Sequence, residues 1–199
     1  MMDDQDNAAQ KHILYMRQAL AEAEKAFLLG EVPVGAVVVL NDVIIGRGHN
    51  LRETIQDGSA HAEIIALRQA AALQKDWRLS GSSIYTTVEP CPMCAGALLM
   101  FRVENLIYGV KDPKAGAVDS LIDIVRDTRF NHQVKLWRDG RVWLKALDSK
   151  SSRRLVPVSG VQIPLSPPKT QQNQDVSPFK EEPLGFFVFL ANWQSRGKC

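Results

Sequence analysis

The chain is 199 residues long, 45% hydrophobic and 23% charged, which suits one domain with a real core and leaves little room for two. Its formal charge of +2 is unevenly spread: residues 1–136 hold 14 Lys and Arg against 17 Asp and Glu, whereas residues 137–199 hold 10 against 5. A slightly acidic body argues against binding nucleic acid by global charge alone, and three cysteines are too few for a disulfide framework. The longest apolar run near the end, Leu184 to Leu190, is far shorter than the roughly 20 residues that cross a bilayer. The opening MMDDQDNAAQ is acidic and polar and lacks a leader pattern, so a cytoplasmic protein with no membrane partner is expected.

Residues 8–29 carry Ile13, Met16, Leu20, Ala23 and Phe27 at steps of three and four, the stripe of an amphipathic helix. Asp6 or Asn7 is expected to cap its start and Gly30 its end. VGAVVVL and VIIGRGHN flank Asn41-Asp42 and predict a tight hairpin, with His49 either a satisfied polar residue at a strand end or an RNA contact, the first being preferred. Residues 60–74 predict a second helix, SIYTTV (83–88) a buried strand, and Cys91 to Met100 a third helix. Trp77 is expected to pack beneath a loop, while Leu98, Leu99 and Phe101 fit either core or dimer surface. NLIYGV (105–110) predicts another strand, followed by the loop KDPKAGA, a short helix around Asp119–Arg126 and a strand near Val134–Leu136. This order, α-β-β-α-β-α-β, implies an α/β protein whose mixed sheet is covered by helices on both faces.

From Trp137 onward the texture changes. Six of the ten prolines follow, and no helical or strand period is sustained. The division expected is a domain over 8–136 and an atypical, disordered tail over 137–199.

Two short motifs carry chemistry. Cys91-Pro92-Met93-Cys94 puts two thiols three residues apart at a helix start, where the backbone favours thiolate, the form that binds soft metals. Alone, the pair reads as half a structural zinc site, a redox motif or part of a catalytic centre. The body also holds four histidines, of which His61 opens an apolar helical run and is followed two residues later by Glu63. His61, Cys91 and Cys94 make three ligands and leave a fourth tetrahedral position for water, as a hydrolytic zinc site requires. Glu63, a carboxylate beside the ligands, is the candidate proton shuttle.

HAEIIAL, with PCPMCAGA placing Cys91 28 residues beyond Glu63, resembles the zinc-dependent nucleobase deaminases. VPVGAVVV, IIGRGHN, TTVEPCPMCAGAL, LIYGVKDPKAGAVDSL and FNHQV resemble, in order, the bacterial tRNA adenosine deaminases that convert wobble adenosine to inosine. The resemblance covers roughly residues 9–136. It implies a three-layer α/β/α cytidine-deaminase-like sandwich, a homodimer, one zinc ion per subunit and no organic cofactor. It also implies a tRNA substrate read at the anticodon stem-loop, an arginine tRNA being the expected one. Matched position by position, His61, Cys91 and Cys94 are the zinc ligands, Glu63 is the proton shuttle, and Asn50 holds the target nucleoside. The loop with Lys111 and Asp112, and the pair Asn131-His132, fall where the family meets the anticodon loop.

Two rival readings stay open at this level. A small-molecule deaminase of the same fold would act on guanine or a cytosine nucleotide, and a zinc-stabilised RNA-binding module would not need Glu63. One departure from the family is also visible. Its chains continue past Asn-His-x-Val with a Glu-Gly turn and a long helix, whereas this chain has WRDGRVWLKALDSK. A frame shift near residue 135 is the expected cause, since Lys135 to Asp139 can be encoded AAG-TTG-TGG-AGG-GAC, which contains codons for Val-Val-Glu-Gly in another frame. Gly160 to Pro164 can likewise be encoded by GGG-GTT-CAA-ATC-CCT, which contains GGTTCAAATCC, the T-arm of a tRNA gene, so an out-of-frame tail running into a downstream tRNA gene is expected. Resequencing the gene is expected to reveal a frame disruption there, and an intact frame refutes the reading.

Overall fold

The computed structural model describes residues 2–137, with side chains from residue 10; the tail and its expected disorder lie outside the described residues. Helix α1 (Met2–Leu28) is followed by strands β1 (Gly35–Leu40) and β2 (Val43–His49), helix α2 (Ala62–Gln74) and strand β3 (Ser83–Val88). Helix α3 (Pro92–Met100), strand β4 (Asn105–Val110) and the short strand β5 (Lys135–Leu136) complete it. The sheet order is β2-β1-β3-β4-β5. β1 pairs antiparallel with β2 and β3, whereas β3–β4 and β4–β5 are parallel, so the sheet is mixed, as the element order implied.

Strand alternation divides the core into two halves. Val37, Val39, Tyr85 and Ile107 face Tyr15, Met16 and Ala19 of α1. Their neighbours Ala36, Val38, Ile84 and Leu106 join Ala66 and Leu67 of α2 and Leu98 and Leu99 of α3 on the other side. The result is the expected three-layer α/β/α sandwich. Because β1 is covered on both faces, it reads as an uninterrupted apolar run rather than an alternating one. The same packing decides the role of Leu98 and Leu99, which are core residues.

The hairpin forms where predicted. Asn41 and Asp42 take φ of 50° and 63°, the left-handed pair that a tight two-residue turn with the right twist demands. Tyr15 Oη donates to the Asp42 carbonyl at 3.0 Å, and Lys11 Nζ reaches Asp42 Oδ2 at 2.6 Å, tying α1 to the turn.

Close contact of α2 with β2 explains the glycines of IIGRGHN. A Cβ on Gly48 would stand 2.2 Å from the Ala62 carbonyl oxygen, and one on Gly46 2.2 Å from that of Ala66. Ala62, Ala66 and Ala70 complete a helix–strand seam of small residues, and this seam sets where α2 begins. Gly48→Ala is therefore expected to destabilise the fold by about 1–3 kcal/mol through overpacking. Thermal denaturation checks this against Gly58→Ala, where a Cβ meets nothing within 4 Å.

Three local expectations are corrected. Helix α1 starts at Met2, so neither Asp6 nor Asn7 stands at its N-terminus, although Gly30 does end it, with φ 78° and its N–H bonded to Phe27. Residues Asp119–Arg126 form turns instead of a helix. There the i→i−4 ladder is replaced: the Ile124 N–H bonds back to Ala117, Asp123 accepts from the Arg126 N–H, and the Arg126 guanidinium crosses to Val118 and Asp119. Trp77 is not beneath a loop but 49% exposed, with the Arg78 guanidinium 4.1 Å from its ring centre. Its segment follows the end of α2 over the surface.

Candidate metal centre

Two helix starts converge on one point. His61 is the N-cap of α2, with extended backbone angles of −76° and 151°, and its side chain caps nothing, which leaves the ring free. Cys91 is the N-cap of α3, Pro92 follows at the first helical position with φ preset for the turn, and Cys94 lies within that turn. His61 Nδ1 stands 3.6 Å from Cys91 Sγ and 3.5 Å from Cys94 Sγ. The three ligand atoms form the one such group among the described residues. For metal–sulfur bonds of about 2.3 Å and metal–nitrogen bonds of about 2.1 Å, a tetrahedral site has sulfur–nitrogen edges of about 3.6 Å. The cluster thus has the donors and the spacing for a tetrahedral thiophilic ion, with one position left over.

Electrostatics favour a thiolate at Cys91. The Cys94 thiol donates toward Cys91 and, with the His61 ring adding to the effect, brings the Cys91 thiol down to about 4, so Cys91 is a thiolate at neutral pH. Donating to that thiolate and being buried push the Cys94 thiol up. The His61 ring's own hydrogen bond to Cys91 raises His61. Glu63, in the first turn of α2 and 4% exposed, is pushed up to about 7 by burial, with the His61 ring opposing the shift. A carboxyl poised there can give or take a proton near neutrality. His61, Cys91, Cys94 and Glu63 are therefore brought together as the sequence suggested.

The other candidates are held by contacts outside the cluster, Asn131 and His132 at the end of α3 opposite to Cys91. Asn50 follows β2, is buried, bonds through its N–H to Val34 and donates from Nδ2 to Glu31 at 3.2 Å. Glu31 also accepts from the Thr54 N–H at 2.6 Å, so one buried carboxylate fixes both Asn50 and the loop leading to His61. Lys111 is exposed, and Asp112 folds the turn after β4 by accepting from the N–H groups of Lys114 and Ala115. Asn131 accepts from Arg102 at 2.8 Å, and His132 Nε2 lies 2.7 Å from the Val103 carbonyl, so both tie their loop to the end of α3. His49 is satisfied by Glu22 at 3.2 Å. Sequence reasoning missed Glu22 and Glu31. The available signal was an acid beside an apolar stretch, because buried carboxylates are retained where something binds them.

The MafB19-like deaminase family profile matches residues 10–147. A Bacillus subtilis protein named tRNA-specific adenosine deaminase is 50% identical over 123 residues, which cover 62% of this chain and 76% of that one. A solved structure from studies of A-to-I editing by tRNA:A34 deaminases superposes with a TM-score of 0.60 at 40% identity, covering 62% of this chain and 95% of the other. A guanine deaminase from Nitrosomonas europaea, 21% identical over 67% of this chain and 79% of its own with a TM-score of 0.55, shares the fold.

Proposed function

Because the chain belongs to the MafB19-like deaminases, and within them to the tRNA-specific adenosine deaminases, we propose that it hydrolyses adenosine to inosine at the wobble position of a tRNA anticodon. The observation that carries the reading is the cluster of His61, Cys91 and Cys94 with a buried, near-neutral Glu63 on the same helix turn as the histidine. These three ligands would hold one zinc ion, whose Lewis acidity makes water nucleophilic at neutral pH.

The chain's own groups do the rest. Glu63 takes a proton from the attacking water as its oxygen bonds to C6 of adenine, and delivers that proton to N1. The proton of the new C6 hydroxyl then passes through the same carboxyl to the 6-amino group, the C6–N bond breaks as the C6 carbonyl forms, and ammonia leaves with inosine as the other product. Asn50, held by Glu31, is assigned to the target nucleoside, and Lys111, Asp112, Asn131 and His132 to the anticodon loop. A loop nucleotide suits such a pocket because splaying it out costs less than opening a duplex. An arginine tRNA is the proposed substrate, the cytoplasm the proposed location, and a homodimer the proposed assembly. Exposed Met93 and Met100 on α3, with Leu121 and Ile122, offer apolar surface for a second copy.

The test is inosine formation in an anticodon stem-loop bearing wobble adenosine, made with the full chain. Inosine is expected. Turnover of free guanine or a cytosine nucleotide in its place would overturn the RNA reading.

A further inference from the structure

Glu89 lies between the end of β3 and Cys91, is 2% exposed, and accepts five hydrogen bonds on one carboxylate. Oε1 takes the N–H groups of Val118, Asp119 and Ser120 at 3.1, 2.7 and 3.0 Å. Oε2 takes the Asp112 N–H at 3.0 Å and the Ser120 hydroxyl. These donors come from both ends of the loop that exposes Lys111 and Lys114. The loop is also wrapped tightly, since a Cβ on Gly116 would stand 2.4 Å from the Glu89 carboxyl carbon. The Ala117 N–H bonds to the Pro90 carbonyl at 2.9 Å, one residue from the metal-ligand candidate.

Charge neutrality does not require this arrangement, and rigidifying the approach to α3 needs only Pro90. A buried carboxylate is costly unless its oxygens are filled, and here backbone donors from another segment fill them. We infer that Glu89 is a positioning residue that latches the 111–120 loop onto the Cys91 segment, fixing the loop's lysines relative to the reacting base when RNA binds. The inference rests on the RNA-deaminase reading above. Glu89 acts through the loop, whose N–H groups and Ser120 hydroxyl fill its carboxylate.

Glu89→Gln keeps the volume but replaces one oxygen with an N–H donor that faces donors. In the zinc-loaded full chain, this variant is expected to raise KM for the anticodon stem-loop about tenfold or more while kcat stays within about threefold. Zinc content should match the parent, and amide hydrogen exchange should quicken at residues 111–120 but not in β3 or α3. Should Glu89→Gln fail to fold, Ser120→Ala, which removes one donor, is expected to show the same split with a smaller change in KM. An unchanged KM, a fall in kcat alone, or parent-like exchange in the loop would overturn the latch. If the parent forms no inosine, the RNA reading fails, and the exchange comparison still decides whether Glu89 holds the loop.

Discussion

Glu63→Gln is expected to retain zinc, melt within a few degrees of the parent and lose at least about 10²–10⁴-fold in inosine formation. The amide matches the carboxyl in shape, so the seam of Ala62 and Ala66 against β2 should persist and keep His61 in place. What is lost is the proton. An amide can neither accept one from water nor deliver one to N1 and the departing amine, so both halves of the reaction stop. Burial makes this site unforgiving, because a group 4% exposed has no bulk water beside it to take over the transfer. Single-turnover inosine assays, run beside metal stoichiometry and thermal melting, check it. A noncatalytic zinc module predicts the opposite, that the substitution is silent, and a variant with parent-like activity would remove Glu63 from the chemistry.

Metal removal has the second large effect, and it reaches stability as well as rate. The ligands come from the starts of two helices, 30 residues apart, so an ion held by them crosslinks α2 to α3. Ligand that binds only the folded state at a thousand times its dissociation constant stabilises it by about 4 kcal/mol. For a domain of about 130 residues, that corresponds to roughly 15 °C in melting temperature. Chelation is therefore expected to abolish inosine formation and lower the melting point by about that amount, and added zinc to restore both. Cys94→Ala, which deletes a fully buried ligand, should reproduce the loss without rescue by zinc. Full activity in a chelated, metal-free preparation would refute the zinc assignment.

Glu89 shows why a residue can be visible in a sequence while its role is not. The pair Glu89-Pro90 stands in plain view before Cys91, yet the five donors that define the carboxylate's role lie 23 to 31 residues further along. The glycines of IIGRGHN are similar. Their spacing is obvious, but only the approach of the α2 backbone to 2.2 Å from a would-be Cβ explains them.

The sequence by itself picked out the candidate ligand set, the candidate shuttle and the order of elements. Those features are local: His61 and Glu63 share one helix start, Cys91 and Cys94 another, and apolar periodicity marks each helix and strand within its own window. Tertiary structure decided the rest. It made Leu98 and Leu99 core rather than interface, turned Asp119–Arg126 away from a helix, left Trp77 in solvent, and gave Glu31, Asn131 and His132 their partners. Each outcome depends on a group far away in the chain, and no local period can encode which distant donor or surface will fill a buried oxygen or cover an apolar face.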